Sequence, residues 1–240
     1  MNELSGKSTP DATGNALAAA AKSNAPSPTL YSDGTGLFGN CVKGGSWGNG
    51  GGGLFLADNA LVPYYEASDS ITNHYSAEAW INRAGQTDNS HLFSSGTSWG
   101  SGACIGLQGY LYGNGGYTAQ NDKIPTSEWA FLGATWGTQG SDFLFCGAAS
   151  LNDGAGLYIT ENASRTTASG GFAQFSLSST ASNDNGINAF GGYMDEFRLR
   201  NVASSKDWTE AVYAAGESGS TFLTYGEVSQ LGGGMIIFLR

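Results

Sequence analysis

Charged residues are scarce in this sequence. Asp, Glu, Lys and Arg make up 12% of its 240 residues, and the acidic residues outnumber the basic ones by 20 to 10. The resulting net charge of −10 repels phosphate backbones and anionic lipid headgroups, which argues against nucleic-acid and lipid-surface binding. The same balance is compatible with calcium and with neutral sugars as ligands.

Cysteine and histidine are scarce as well. The chain has three cysteines, Cys41, Cys104 and Cys146, and two histidines, His74 and His91. The spacing of the cysteines matches no zinc motif. Their odd number leaves two alternatives open, one disulfide with a free thiol or three buried thiols.

Long hydrophobic runs are missing. No apolar run approaches the roughly 20 residues that a helix needs to cross a bilayer, so the sequence predicts no membrane span. The opening segment MNELSGKSTP lacks the basic start and the apolar stretch of a signal peptide. We therefore expect a mature fragment, or a domain of a longer exported protein, that is located outside the cell or at the cell surface.

Glycine and aromatic residues, in contrast, are abundant, with 38 glycines and 12% aromatics. Polar and apolar residues alternate in YSAEAWINR (75 to 83) and CIGLQGYLYG (104 to 113), as in half-buried strands. The segment EWAFLGATWG (128 to 137) is apolar on both faces, which predicts a central, covered strand. Turn signals such as NGG, NDG and SGG separate these segments, so the sequence predicts an all-β, two-sheet antiparallel sandwich.

One segment has helical periodicity. SSKDWTEAVYAAG (204 to 216) begins with capping residues and is bounded by glycine at its other end. Trp208, Ala211, Val212 and Ala215 form its predicted apolar stripe. We expect one short helix near the C-terminus.

The order of these elements resembles the laminin-G-like domains of the concanavalin A-like lectin/glucanase superfamily, in the form found in bacteria. The specific matching blocks are EAWINR and GGYMDEFRLRN, and the resemblance covers residues 2 to 227. It implies a jelly-roll sandwich, which we place at 1–228. The last residues have no counterpart in that family, and we interpret 229–240 as a glycine-linked apolar tail. It also implies a non-catalytic recognition or adhesion module, with carbohydrate as the expected ligand.

Asp195 is the most unusual residue of GGYMDEFRLRN. Strict alternation puts Tyr193, Asp195, Phe197 and Leu199 on one face, which we expect to be the core. A buried carboxylate needs partners, so Asp195 either accepts hydrogen bonds from loop amides or, as the resemblance implies, binds a structural calcium ion at the rim. The other predicted calcium ligands are Asp58, Asp11 and Asn2.

Exposed aromatic residues next to amide groups are typical of sugar sites, because pyranose C–H groups stack on aromatic faces. Gln108, Tyr110 and Tyr112 are predicted on the outward face of one strand, with Trp99 in a glycine-rich loop and Tyr117 directly after the segment GNGG. We predict that these five residues bind a glycan or another cell-surface or matrix ligand. The alternative is that they cover the second sheet or a neighbouring domain.

The carboxylates do not form the pattern of a glycoside hydrolase. Retaining glucanases commonly present their carboxylates from one strand as E-x-D-x-E, and this triplet is absent. Asp195 and Glu196 are predicted on opposite faces, and Glu78 is the lone carboxylate of its strand. We therefore expect no enzyme activity, and glycoside hydrolysis is the third hypothesis.

The C-terminal tail predicts the second hypothesis, a self-assembling structural subunit. Its apolar segment has strong β-propensity and follows a flexible LGGG linker. Such a strand either folds back on its own sheet or adds to the open edge of a neighbouring molecule, which builds filaments or surface layers. The predicted assembly residues are Met235, Ile236, Ile237, Phe238 and Leu239.

Overall fold

The computed structural model describes the residues from which the two sheets and the helix are built. The described residues are 8–9, 19–20, 29–30, 36–44, 54–55, 75–85, 91–95, 104–106, 111–113, 116–118, 125–136, 144–148, 157–161, 175–177, 190–200, 202 and 204–216.

These residues form fifteen strands and one helix. The strands are β1 (Ser8–Thr9), β2 (Ala19–Ala20), β3 (Thr29–Leu30), β4 (Val42–Lys43), β5 (Leu54–Phe55), β6 (Tyr75–Asn82), β7 (His91–Ser95), β8 (Cys104–Gly106), β9 (Leu111–Gly113), β10 (Gly116–Thr118), β11 (Trp129–Trp136), β12 (Leu144–Ala148), β13 (Leu157–Glu161), β14 (Phe175–Leu177) and β15 (Tyr193–Arg200). The helix is α1 (Lys206–Gly216).

The described strands belong to two antiparallel sheets. One sheet has eight strands in the order β1-β2-β5-β14-β7-β8-β9-β10, and the other has seven in the order β13-β12-β11-β6-β15-β4-β3. Phe93 of the first sheet packs on Phe197 of the second, with ring centroids 5.6 Å apart. This architecture confirms the predicted all-β, two-sheet antiparallel sandwich with one short helix.

The strands β6, β11 and β15 form the centre of the seven-stranded sheet. β11 lies between β6 and β12, and its residues Ala130, Phe131 and Leu132 are fully buried, which confirms the predicted central strand. β6 is buried on both faces, since Ala79 is 3% and Trp80 1% exposed. One face of this sheet meets the other sheet, and we call it the inter-sheet face. The opposite face is covered by α1, and we call it the helix-side face.

The helix packs on β6 and β11 through an aromatic cluster. Tyr213 stacks on Trp80, with ring centroids 5.9 Å apart, and lies 6.2 Å from the ring of Phe131. A side chain at Gly216 would collide with the indole of Trp80, so the last residue of the helix must be small. In the described part of the chain no helix has the length and apolar character needed to cross a bilayer.

The buried stripe of α1 differs from the predicted one. Thr209, Tyr213 and Gly216 are buried, whereas Trp208, expected in the stripe, is 37% exposed. The predicted stripe is therefore displaced by about one residue. The reason is that the sheet under the helix provides an aromatic surface that accepts the ring of Tyr213, which periodicity alone does not reveal.

The prediction of one continuous strand from 104 to 113 is wrong. β8 and β9 are two separate strands that pair antiparallel, with Cys104 opposite Tyr112 and Ile105 opposite Leu111. The alternation of the segment is compatible with one long strand, but the chain reverses between the two halves. Cys104 and Cys146 belong to different sheets, and Cys41 is buried.

Strand β15 contains a β-bulge that overturns the predicted alternation. Asp195 is opposite Trp80 and Arg198 is opposite Glu78, so three steps on β15 match two steps on β6. Glu196 provides the extra residue and has a φ of 50°, in the left-handed region. Residues before and after a one-residue bulge exchange faces, because side chains alternate with a period of two.

Because of the bulge, the four residues predicted on one core face do not all lie on the same face of the sheet. Phe197 lies on the inter-sheet face, since its ring packs on Phe93. Asp195 is opposite Trp80 and therefore lies on the helix-side face. Met194, predicted on the opposite face from the core, is 1% exposed. Both faces of β15 are covered over this stretch, which explains how an aspartate is buried without entering the space between the sheets.

Candidate functional site

Asp195 connects the bulge to the loop at 36–39. Its Oδ2 accepts a hydrogen bond from the backbone N–H of Phe38 at 2.9 Å, and its Oδ1 accepts one from the N–H of Glu196 at 2.8 Å. A Cβ at Gly36 would lie 2.8 Å from Oδ2, so the loop approaches the carboxylate closely because it has glycine there. The first of the two predicted roles, satisfaction by loop amides next to a glycine turn, is confirmed.

The described surroundings of Asp195 do not provide a calcium site. Calcium takes six to eight oxygen ligands, whereas both carboxylate oxygens here accept amide hydrogen bonds. Within the described ranges no group of three or more His, Cys, Asp and Glu side chains is arranged to hold a metal ion. The predicted co-ligands Asp58, Asp11 and Asn2 lie outside the described residues, so calcium stays a prediction.

Two of the predicted ligand-binding residues lie directly opposite each other. Tyr112 of β9 and Tyr117 of β10 are Cα partners, and β10 is the last strand in the described order of its sheet. Phe93, which packs between the sheets, is opposite Ile105, and Ile105 is opposite Leu111. Tyr112 follows Leu111 directly, so the register puts Tyr112 and Tyr117 on the outward face of the eight-stranded sheet.

The same outward row continues toward the middle of the sheet. Cys104 is opposite both Tyr112 and Ser94, and Ser94 is opposite Ser176. Ser94 is 4% exposed and Ser176 is fully buried, so the outward face is covered at its centre. Tyr112 and Tyr117 belong to β9 and β10, the last two strands in the described order of this sheet. Gln108, Tyr110 and Trp99 lie outside the described residues, as do the assembly residues of the tail, Met235, Ile236, Ile237, Phe238 and Leu239.

A carboxylate–arginine cluster lies on the helix-side face, where the sequence predicted no site. We define it by Glu78, Glu196, Arg198, Arg200 and Trp208. Nη1 of Arg198 is 3.4 Å from Oε1 of Glu78, and its Nη2 is 2.8 Å from Oε2 of Glu196. The contact with Arg198 brings the carboxylate of Glu196 to the helix-side face, so Asp195 and Glu196 are not on opposite faces as predicted.

Arg200 forms the second half of the cluster. Its guanidinium lies over the ring of Trp208, 4.2 Å from the centroid, and its Nη1 donates to Oγ of Ser204 at 2.7 Å. Oγ of Ser204 is 2.8 Å from Oγ of Ser76 on β6. The backbone carbonyl of Ser204 accepts a hydrogen bond of 3.2 Å from the hydroxyl of Thr135 on β11. Ser204 therefore attaches the segment that leads into α1 to the two central strands β6 and β11.

Burial raises the pKa of Glu78, whose side chain is only 4% exposed. The charges of Arg198 and Arg200, and hydrogen bonds from Arg198 and Trp208, act in the opposite direction but do not outweigh the loss of solvation. Burial likewise raises the pKa of Asp195, against the amide hydrogen bond from Phe38. Perturbed buried carboxylates occur often at functional sites, which makes the cluster a candidate.

The raised pKa of Glu78 predicts how stability depends on pH. The folded protein holds the Glu78 proton more tightly than the unfolded chain, so this contribution is fully present below the ordinary value of 4.5. It is lost as the pH rises through the raised value. We expect the free energy of unfolding of the wild type, relative to Glu78→Gln, to be highest below pH 4.5 and to fall as the pH rises above that value.

Urea unfolding of both proteins at a series of pH values measures this difference. Glu210→Gln is the matched control, because it removes one carboxylate at a side chain of α1 that is 50% exposed. If the free energy of unfolding of the wild type relative to Glu78→Gln stays constant with pH, or rises with pH, the prediction is contradicted.

Sequence reasoning missed the cluster because the bulge decides its composition. Strict alternation puts Arg198 and Arg200 on the face opposite to Asp195, whereas the register puts all three on the helix-side face. The available signal was the position of Glu78 among covered residues of β6, since a carboxylate there requires a cationic partner.

Comparisons with known proteins show likeness at the level of the fold. No protein-family model matches the sequence, and no curated protein matches it. Among solved structures, the chain is similar to botulinum neurotoxin type C, whose cell entry depends on interaction with two ganglioside molecules. The identity is 14% and the TM-score 0.54, over 90% of this chain and 52% of that one.

Two further structures have the same fold likeness. One is the binding domain of botulinum neurotoxin DC in complex with rat synaptotagmin II, with 12% identity, a TM-score of 0.54 and coverage of 90% of this chain and 52% of that one. The other is the binding domain of botulinum neurotoxin serotype D/C, with 13% identity, a TM-score of 0.53 and coverage of 90% and 53%. The chain thus spans about half the length of these structures and has an antiparallel β-sandwich fold that they share.

Proposed function

We propose that the chain is a non-catalytic recognition or adhesion module that binds glycans outside the cell or at the cell surface. The observation that carries the proposal is the pairing of Tyr112 with Tyr117 on the outward face of the eight-stranded sheet. Two aromatic residues in direct cross-strand register provide a surface on which a pyranose ring stacks. Gln108, Tyr110 and Trp99 complete the proposed ligand-binding set.

The fold likeness supports the same function. Two of the similar structures are toxin binding domains, one of them in complex with rat synaptotagmin II, and the third is of a toxin whose cell entry depends on interaction with two ganglioside molecules. Fold alone does not decide function, so this likeness raises the expectation of a binding role without naming the ligand. The laminin-G-like resemblance of the sequence supports the same role.

The arrangement of the described carboxylates supports a non-catalytic role. Glu78 and Glu196 both bind Arg198, and Asp195 accepts two amide hydrogen bonds. A glycosidase needs two carboxyl groups that face each other across the scissile bond, one to protonate and one to attack or activate water. For Glu78 and Glu196, the guanidinium of Arg198 contacts both carboxylates and so occupies the position between them that a substrate would need.

Glycan binding predicts that changes at the tyrosine pair weaken binding. We expect the wild type to retain at least one glycan on an array, and Tyr112→Ala and Tyr117→Ala each to raise its Kd by about fivefold or more, as for a truncated aromatic anchor. Titration of the retained glycan by calorimetry gives the Kd values.

Tyr158→Ala is the matched control. Tyr158 lies on β13, at the end of the described order of the other sheet, so its loss should leave the Kd unchanged. An array with no retained glycan would overturn the proposal. So would a retained glycan whose Kd is the same for the wild type and both tyrosine variants.

A further inference from the structure

The Arg200–Trp208 half of the carboxylate–arginine cluster has features of a ligand-binding surface. Trp208 is 37% exposed although it belongs to the helix that covers the sheet, and Val202, six residues earlier in the chain, is 46% exposed. The guanidinium of Arg200, 4.2 Å from the ring centroid, adds a cation directly at the indole. Arginine stacked on tryptophan is a rigid donor surface, because the contact fixes the plane of the guanidinium.

Arg200 differs from Arg198 in its partners. Arg198 is bound by two carboxylates, Glu78 at 3.4 Å and Glu196 at 2.8 Å. For Arg200, the described part of the chain provides a hydroxyl partner, Oγ of Ser204. A guanidinium has five N–H donors, and its geometry matches the two oxygens of a carboxylate. Arg200 thus has N–H donors with no described carboxylate at hydrogen-bond distance, while the charge of Glu78 acts on it from within the cluster.

Ser204 holds Arg200 in position. Its hydroxyl contacts Ser76 of β6, and its carbonyl accepts from Thr135 of β11, both of them buried residues. The guanidinium is therefore held by a residue that is itself fixed to two central strands. Preorganised donors bind with less loss of side-chain entropy than free ones.

We propose that Arg200 and Trp208 form a second subsite, which binds an acidic pyranose: Arg200 pairs with the sugar carboxylate, and the exposed part of the Trp208 indole contacts the sugar ring. The inference rests on the proposed glycan-binding function and deepens it by naming a class of sugar. The subsite lies on the helix-side face of the seven-stranded sheet, whereas the tyrosine pair lies on the other sheet, so the two are separable by mutation.

Two monosaccharides that differ only in the carboxylate provide the test. Methyl β-glucuronide and methyl β-glucoside are titrated against the full chain, and amide and indole N–H chemical shifts are followed by NMR. We expect the glucuronide to shift the indole signal of Trp208 and to bind about tenfold or more tightly than the glucoside. Arg200→Gln should abolish this preference, and Trp208→Ala should weaken binding of the glucuronide.

Matched controls separate the subsite from general charge and from the tyrosine pair. Lys206→Gln removes one exposed cation near the start of α1 and should leave the preference intact, as should Tyr112→Ala. Trp208→Phe keeps an aromatic ring and should restore part of the binding that Trp208→Ala loses. Urea unfolding midpoints establish that each variant is folded.

Each contrary outcome has a definite meaning. Equal Kd values for the two sugars, or a preference that persists in Arg200→Gln, would overturn the subsite. If Tyr112→Ala rather than Arg200→Gln abolishes glucuronide binding, the acidic sugar binds at the tyrosine pair, and the proposed function stands while the subsite fails. If the glucuronide binds through Arg200 and the array retains no glycan that depends on the tyrosines, the subsite stands and the tyrosine site fails.

Discussion

Replacing Trp80 with alanine is expected to lower the free energy of unfolding by about 3–5 kcal/mol, the cost of removing a fully buried large aromatic side chain. Trp80 is 1% exposed and lies at the centre of the helix-side face. The centroid of its ring lies 5.3 Å from the ring centroid of Phe131, 5.9 Å from that of Tyr213 and 6.0 Å from that of Phe38. Its loss removes the contact on which α1 packs and leaves a cavity that these rings can fill only in part.

Urea unfolding followed by far-UV circular dichroism measures this loss. Trp208→Ala is the comparison, since it deletes the same atoms from a side chain that is 37% exposed, and it should cost less than Trp80→Ala even though it also removes the contacts with Arg200 and Glu78. If Trp80→Ala cost no more than Trp208→Ala, the aromatic cluster would not be the contact that fixes the helix to the sheet.

Asp195→Ala is expected to lower the free energy of unfolding by about 2 kcal/mol or more, because it leaves two backbone N–H groups without their acceptor. These are the N–H of Phe38 in the loop at 36–39 and the N–H of Glu196 in the bulge. Glu196 is in the left-handed region with a φ of 50°, so the bulge depends on such contacts to compensate for its backbone conformation.

Asp195→Asn is the matched variant for this prediction. It keeps one acceptor oxygen and also removes a carboxylate whose pKa burial has raised, so it should cost roughly half as much as the alanine change or less. Equal losses for the two variants would show that the charge of Asp195, rather than its role as acceptor, stabilises the loop.

The same pair of proteins decides the calcium hypothesis. A calcium ion bound by Asp195 would raise the unfolding midpoint of the wild type over that measured with a chelator, because a ligand that binds the folded state stabilises it. Asp195→Asn would remove this increase. Identical midpoints for the wild type with calcium and with chelator would exclude a calcium ion at this position.

The carboxylate–arginine cluster shows where sequence reasoning stops. Glu78 and Arg198 are 120 residues apart, and they meet because β6 pairs with β15. Alternation along β15 predicts the wrong face for Arg198, since one bulged residue shifts every position after it. A bulge depends on the partner strand and on the contact of Asp195 with a distant loop, and neither leaves a local signal in GGYMDEFRLRN.

Local patterns of sequence were sufficient for the class of fold. Alternation and β-propensity identified β6, the apolar run identified β11 as a central strand, and capping residues identified α1, because each depends on neighbours within a few residues. Tertiary structure alone decided the faces of β15, the division of 104 to 113 into two strands, the exposure of Trp208 and the pairing of Glu78 with Arg198. These features depend on strand register and on helix packing, which are set by contacts between segments far apart in the chain.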